Sequence, residues 1–200
     1  MLDSTLRPII DPLLNKAATT VAKTTLSANQ VTVAGFLVGL TCLPAIALEQ
    51  YTLGLVLLLC NRVLDGLDGA LARLRGSTDL GAYLDIVLDF IVYSAVVFGF
   101  CLAQPTVALY GAFLIFSFVG SGTAFLAFAI LAEKRGISTE AQGKKTIYYL
   151  SGIAEGFETI LALGLMCLIP GQFWLIALVF GLICWLSTAG RIATAVKTLK

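Results

Sequence analysis

The stretch DGLDGALARLRGSTDLGAYLDIVLD, residues 65–89, sets aspartates at helical intervals in an otherwise apolar chain. Asp65 and Asp68 are three residues apart and Asp85 and Asp89 four apart, so on helices each pair projects from one side. The apolar pattern extends upstream to Leu53 and downstream to Ala103. The stretch therefore reads as two consecutive long helices joined by a short loop. Such helices are expected to be antiparallel neighbours, which would gather four carboxylates at one point.

The surroundings decide what kind of helices these are. Hydrophobic residues make up 58% of the 200 positions and charged residues 12%, and the mean hydropathy is +0.95. A soluble domain carries roughly 25% charged residues, so this exterior faces lipid. The net charge is +1, and no basic cluster with interleaved aromatics marks a nucleic-acid surface. There are no histidines, which removes His-based acid–base catalysis, Ser–His and Cys–His pairs and most zinc sites. Cys42, Cys60, Cys101, Cys167 and Cys184 lie in apolar stretches without CxxC spacing and read as core or lipid-facing residues. No cleavable signal peptide is evident at the N-terminus.

Spanning a bilayer takes about 20 mostly apolar residues. Six candidates are expected, near 31–48, 52–74, 80–103, 106–132, 147–169 and 172–195. Before them, Asp11-Pro12 fits a helix start. Leu13, Leu14, Ala17 and Val21 share a face there, opposite Lys16 and Lys23, as in a helix lying on the membrane surface. Ser27 and Gln30 form a capping-box pattern before the first span. The expected fold is all-α: a polytopic membrane bundle of six transmembrane helices (27–200) preceded by a juxtamembrane amphipathic helix (1–26), in one domain, 1–200. Arg7, Lys16, Lys23, Arg75, Lys134, Arg135, Lys144, Lys145, Lys197 and Lys200 fall at alternate connections and at the ends. The connections near Glu49, Gln104 and Pro170 carry no Lys or Arg. The positive-inside rule then puts both termini and the aspartates on the cytoplasmic side. Gly35/Gly39 and Gly152/Gly156 mark close helix packing, within the bundle or across a dimer.

A charge near mid-bilayer costs about 2.5–3.5 kcal/mol, so four aspartates cost on the order of 10 kcal/mol before repulsion. A divalent cation offsets both, and oxygen ligands without Cys or His select Mg²⁺, Mn²⁺ or Ca²⁺. Gly69 and Ala72 clear space beside Asp65 and Asp68. Arg73, one turn on, can meet a phosphate in bidentate geometry, and Gly81 lines up below Asp85 and Asp89. Together these describe a pyrophosphate site. A cation- or proton-coupled transporter lined by the same aspartates is the competing reading from spacing.

Asp65, Asp68, Gly69, Ala72, Arg73, Gly81, Asp85 and Asp89 match DxxDGxxAR followed by GxxxDxxxD. That is the signature of the CDP-alcohol phosphatidyltransferase family, and the chain resembles small bacterial inner-membrane members of it. The resemblance extends to the N-terminal surface helix and the S-x-N-x-V-T run at Ser27. It implies two Mg²⁺ or Mn²⁺ ions held by the four aspartates, with Asp89 as general base for the acceptor hydroxyl. Gly69, Ala72, Arg73 and Gly81 are implied to contact the CDP moiety, and a homodimer is what the family suggests. The implied reaction passes a substituted phosphate from a CDP-alcohol, CDP-diacylglycerol above others, to a small polar alcohol, releasing CMP. A CDP-linked headgroup with a lipid acceptor is the alternative within the family.

Acceptor signals are weaker. Lys144, Lys145 and Arg191 are candidates for an acceptor phosphate, the lysines competing with a headgroup role. Glu155 and Glu158 share a face within the fifth expected span. They serve either recognition of hydroxyls or an amine, or pairing with Arg191 or Arg62.

Overall fold

Ser27 opens the first apolar helix as its sequence predicts. Its hydroxyl accepts from the Gln30 amide at 3.3 Å, and its own amide donates to Gln30 Oε1 at 2.9 Å. In this computed structural model, residues 3–135 and 154–200 are described. The order is α1 (Asp3–Val21), α2 (Ala28–Leu40), α3 (Cys42–Ala47), α4 (Tyr51–Arg75), α5 (Asp79–Ala103), α6 (Ala108–Lys134), α7 (Gly156–Leu168) and α8 (Phe173–Leu199). Short 3₁₀ turns, Pro105–Val107 and Pro170–Gln172, precede α6 and α8. Among the described residues the fold is all-helical.

Among the described residues, four segments are long and apolar enough to cross a membrane: Ala28–Ala47, Asp79–Ala103, Pro105–Lys134 and Pro170–Leu199. The first is broken at Thr41 because Pro44 cannot donate to the carbonyl one turn before it. α4 has 25 residues, ample length, but its second half carries five charged side chains (Arg62, Asp65, Asp68, Arg73 and Arg75). α7 has 13 residues, and the first part of the expected fifth span lies outside the described residues, as do Lys144, Lys145 and Gly152. α1 already includes Asp3, so the expected start at Asp11-Pro12 falls inside the helix. Proline's fixed φ is helical, so Pro8 and Pro12 each cost a hydrogen bond without ending the helix. α1 turns Leu14 and Ala18 inward, while Leu13 is 73% exposed.

α4 and α5 are not the close neighbours expected from their short loop. α2 lies between them and packs on both, and glycine makes this possible. A Cβ at Gly35 would stand 3.1 Å from Leu64 Cβ of α4. One at Gly39 would stand 2.7 Å from Val92 Cγ2 of α5 and 2.9 Å from Asn61 Nδ2 of α4. The Gly35/Gly39 pair therefore works inside the chain. The loop itself turns at Gly76, whose φ of 96° suits only glycine. Thr78 then caps α5 by accepting from the Gly81 amide at 3.0 Å.

Away from the charged half of α4, the core is apolar and aromatic. Phe100 stacks on Tyr51 with ring centroids 5.5 Å apart and on Phe173 at 4.9 Å, around fully buried Ile46 and Leu58. All five cysteines are free; Cys42, Cys167 and Cys184 are buried and Cys60 is exposed.

Candidate metal and diphosphate site

Wedging α2 between α4 and α5 leaves a cleft where the charged half of α4 faces the start of α5. Thr32, Gly35 and Phe36 of α2 form one wall; Asn61, Asp65 and Asp68 of α4 another; Asp85, Leu88, Asp89 and Val92 of α5 the third. All four aspartates expected from spacing line it. They are not equivalent.

Asp65, Asp68 and Asp85 each offer one carboxylate oxygen within 4.8 Å of the other two. Asp68 is buried, and its Oδ2 is shielded from solvent without a hydrogen-bond partner. A buried polar atom left that way costs about 1–3 kcal/mol, more when charged. Three converging carboxylates, one of which also has an oxygen without a donor, fit a divalent cation.

Asp89 is engaged differently. Arg62 Nη2 donates to its Oδ1 at 2.5 Å and Nη1 to its Oδ2 at 3.0 Å, while the Tyr93 hydroxyl donates to Oδ2 at 2.8 Å. Arg62 also approaches Asp65 Oδ2 at 3.4 Å, and its guanidinium lies 5.2 Å from the Tyr93 ring centroid. Asn61 Oδ1 accepts from Arg62 Nε at 2.8 Å and Nη2 at 2.6 Å, and Asn61 Nδ2 donates to the Gly35 carbonyl at 2.9 Å. Sequence reading treated Arg62 only as a pairing partner and missed Asn61 and Tyr93. The available signals were Tyr93 four residues after Asp89 and Asn61-Arg62 one turn before Asp65.

Gly69 faces open space: a Cβ there would meet only Arg73 Nη1, at 3.6 Å. Arg73 is half-exposed and loosely paired, Nη2 to Asp11 Oδ1 at 3.9 Å. Such a pair is worth about 0–1 kcal/mol, so an anion can replace Asp11. Ala72 is partly exposed on the same helix. Gly81 serves packing, since Asn29 Oδ1 of α2 occupies the place of its missing side chain, 2.9 Å from a built Cβ. Beside this end, α1 lays Leu14 against Gly66. Arg75 donates to the carbonyls of Ala22, Thr24 and Leu26 beyond α1.

Arg191 does not line the aspartate cleft. It is buried on α8, where Nη1 donates to the Ser121 carbonyl at 3.0 Å and hydroxyl at 2.8 Å, with the Phe125 ring centroid 5.6 Å away. It borders an apolar groove of about 420 Å³ between α6 and α8. Glu155 and Glu158 stand at the start of α7. They form a capping box on α7, the Glu155 amide donating to Glu158 Oε2 at 3.2 Å. Neither is among the partners of Arg62.

Comparison with known proteins places the fold and the family. An inner membrane protein of Escherichia coli, YnjF, is 47% identical over the whole of this chain and 98% of its own length. The archaetidylinositol phosphate synthase of Pyrococcus horikoshii is 33% identical over 100 residues, 50% of this chain and 53% of that protein. The fold matches crystal structures of the Mycobacterium tuberculosis phosphatidylinositol phosphate synthase. With manganese and citrate the TM-score is 0.71 at 19% identity, covering 91% of this chain and 88% of that one. With CDP-DAG bound it is 0.64 at 23% identity, covering 94% and 92%. The CDP-alcohol phosphatidyltransferase family profile matches residues 25–192. The profile covers most of the sequence, and with it the assignment is made: this chain is a phosphotransferase of the CDP-alcohol phosphatidyltransferase family.

Proposed function

We propose that this enzyme transfers the phosphatidyl group of CDP-diacylglycerol to the hydroxyl of a small polar alcohol and releases CMP, in a reaction that requires Mg²⁺ or Mn²⁺. The observation that carries this is the convergence of Asp65, Asp68 and Asp85 within 4.8 Å, with Asp68 Oδ2 lacking a donor. A divalent ion held there would neutralise the diphosphate and the departing CMP. Arg73 and the open side of Gly69 and Ala72 are suited to the same diphosphate, the arginine exchanging Asp11 for phosphate oxygens.

Asp89 serves as general base. The acceptor oxygen bonds to the phosphatidyl phosphorus as the bond from that phosphorus to the CMP oxygen breaks, and the acceptor proton passes to Asp89. No covalent enzyme intermediate is needed. Arg191 and the Glu155–Glu158 pair are assigned to the acceptor side. The setting is the inner membrane, with six spans, an amphipathic α1 on the surface, and both termini and the cleft cytoplasmic. The alternation of basic connections supports that orientation.

The test is CMP release by the purified chain in lipid nanodiscs, with CDP-diacylglycerol and a panel of phosphorylated and unphosphorylated alcohols, with and without EDTA. Metal-dependent CMP release with at least one acceptor is expected. Release only when a CDP-linked headgroup meets a lipid acceptor would overturn the donor assignment. Ion flux without any CMP release would overturn the enzymatic reading of the cleft.

A further inference from the structure

α6 and α8 pack closely where a glycine on one faces an aromatic ring on the other. A Cβ at Gly181 would stand 2.7 Å from Phe113 Cε1, and one at Gly120 would stand 3.0 Å from Trp185. Nearer the last turns of both helices the facing residues are small. Ala124 and Ala127 of α6 and Ala195 of α8 carry one methyl group each, and the space they leave is the groove of about 420 Å³. Its floor is firm. Phe128 is 2% exposed and Ala132 fully buried, with Ala195 and Leu199 packed against them.

We propose that this groove holds one acyl chain of an anionic glycerophospholipid, whose phosphate sits at Lys200 and the basic ends of the two helices. The groove is built from α6 and α8, whereas the aspartate cleft is built from α2, α4 and α5. The lipid site therefore depends on neither the metal nor the donor.

Length favours a lipid chain. From Arg191 to Lys200 is about 13 Å of helix at 1.5 Å per residue. One leaflet is about 15 Å deep, half of a hydrocarbon core of about 30 Å. Arg191 closes the deep end, its guanidinium engaged by Ser121 and lying near the Phe125 ring. Along the rim, Ile192 and Val196 are about half exposed, so the groove opens sideways to the bilayer.

Charge selects the headgroup. Lys200 lines the groove. Lys134 lies in the last turn of α6 and Lys197 in that of α8, and Arg135 follows α6. Against these four, Glu133 is the one acidic residue in the last two turns of either helix. Basic residues gathered at a bilayer surface attract anionic lipids. A zwitterionic lipid would fill the groove with the same chain and gain far less at its head. A second copy of this chain, parallel in the membrane, would bring its own basic end against this one, like charge beside like charge.

The experiment uses the purified whole chain in nanodiscs of phosphatidylcholine containing a rising fraction of phosphatidylglycerol. Lipid retained on the chain is counted by native mass spectrometry, and thermal unfolding, oligomeric state and CMP release are followed in the same discs. One phosphatidylglycerol per chain is expected, held over phosphatidylcholine by about tenfold. The melting temperature rises with its fraction, because a ligand of the folded state stabilises that state. Ala127→Phe puts a ring into the groove. It loses both the retained lipid and the rise in melting temperature, while KM for CDP-diacylglycerol stays unchanged. Lys134→Gln combined with Lys200→Gln keeps a lipid but lowers the preference for phosphatidylglycerol by about fivefold or more.

Equal retention of the two lipids by the unaltered chain overturns the proposal, and so does a folded Ala127→Phe that retains phosphatidylglycerol as before. A KM for CDP-diacylglycerol that rises in Ala127→Phe would give the groove to the donor's own chain. A dimer that dissociates in that variant would give it to a second copy. Either result also overturns the proposal. If Ala127→Phe does not fold, the lipid count on the unaltered chain and the double lysine variant decide. Absence of CMP release strikes the proposed reaction and leaves the lipid count standing.

Discussion

The two halves of α4 do opposite work. From Tyr51 to Cys60 the helix is uncharged, with Gly54 and Leu58 buried against α3 and the Tyr51–Phe100–Phe173 stack close by. A Cβ at Gly54 would lie 2.6 Å from Ile46 Cγ1, and one at Gly99 of α5 would lie 3.0 Å from the Leu43 carbonyl. From Asn61 to Asp68 the same helix turns charge inward, and α2 holds it apart from α5. Apolar side chains fill space and stay where packing puts them. Carboxylates repel and must be held apart from one another yet close to a cation. The apolar half supplies the rigidity that lets the charged half stay open, and α2, with a face on each, joins them.

The largest expected effect divides the halves outright. Asp68→Asn removes the carboxylate whose Oδ2 lacks a donor, so metal-dependent CMP release falls by a factor of about 10² or more. Thermal stability of the metal-free protein holds or rises, because a buried charge is gone. Phe100→Ala does the reverse. It empties the centre of the aromatic stack, is expected to cost about 3 kcal/mol of stability, and leaves per-molecule activity of the folded fraction near normal. Activity assays paired with thermal unfolding of both variants check this. A stabilised, fully active Asp68→Asn, or a fully stable but inactive Phe100→Ala, would break the division of labour.

Much of this division is legible in the sequence. The spacing of Asp65, Asp68, Asp85 and Asp89 is a local property of two helices, so it survives into the fold and puts all four on one cleft. The role of α2 is not local. Two spans joined by a short loop normally touch, and only the meeting of Gly35 with Leu64 and Gly39 with Val92 shows that a third helix fits between them. Arg62 was visible, but its partner was not, because Asp89 lies 27 residues away and is brought opposite only by that wedge. The local setting of Glu155 and Glu158 was hidden for a related reason. Their three-residue spacing suits one face of a helix and equally suits a capping box, and only the start of α7 at Gly156 decides between the two. At Gly81 the spacing did not show that Asn29 of α2 comes within 2.9 Å of where a Cβ would stand.

A finer test bears on the joint itself. A methyl group at Gly39 would meet Val92 and Asn61 side-chain atoms at 2.7–2.9 Å. Gly39→Ala is therefore expected to cost about 1–3 kcal/mol as overpacking. Asn61 holds Arg62, so the variant also disturbs Asp89. The expected signature is a fall in both melting temperature and kcat, with Mn²⁺ binding at Asp65, Asp68 and Asp85 kept. A fall in stability alone would mean that the two halves are mechanically independent.

The smallest effect concerns which half α1 serves. Leu14 meets Gly66, between Asp65 and Asp68 in sequence, and Asp11 meets Arg73, while Arg75 clasps the carbonyls of Ala22, Thr24 and Leu26. These contacts all fall on the charged half of α4, where the bundle is otherwise open. If α1 is a wall of the site, Arg75→Ala should cost only about 1 kcal/mol of stability, since its bonds are solvent-exposed. It should nonetheless raise KM for the CDP-alcohol more than it lowers kcat, because Arg73 and Asp11 lose their fixed separation. If instead stability falls and KM does not move, α1 is scaffold, and the charged half of α4 ends at the aspartates.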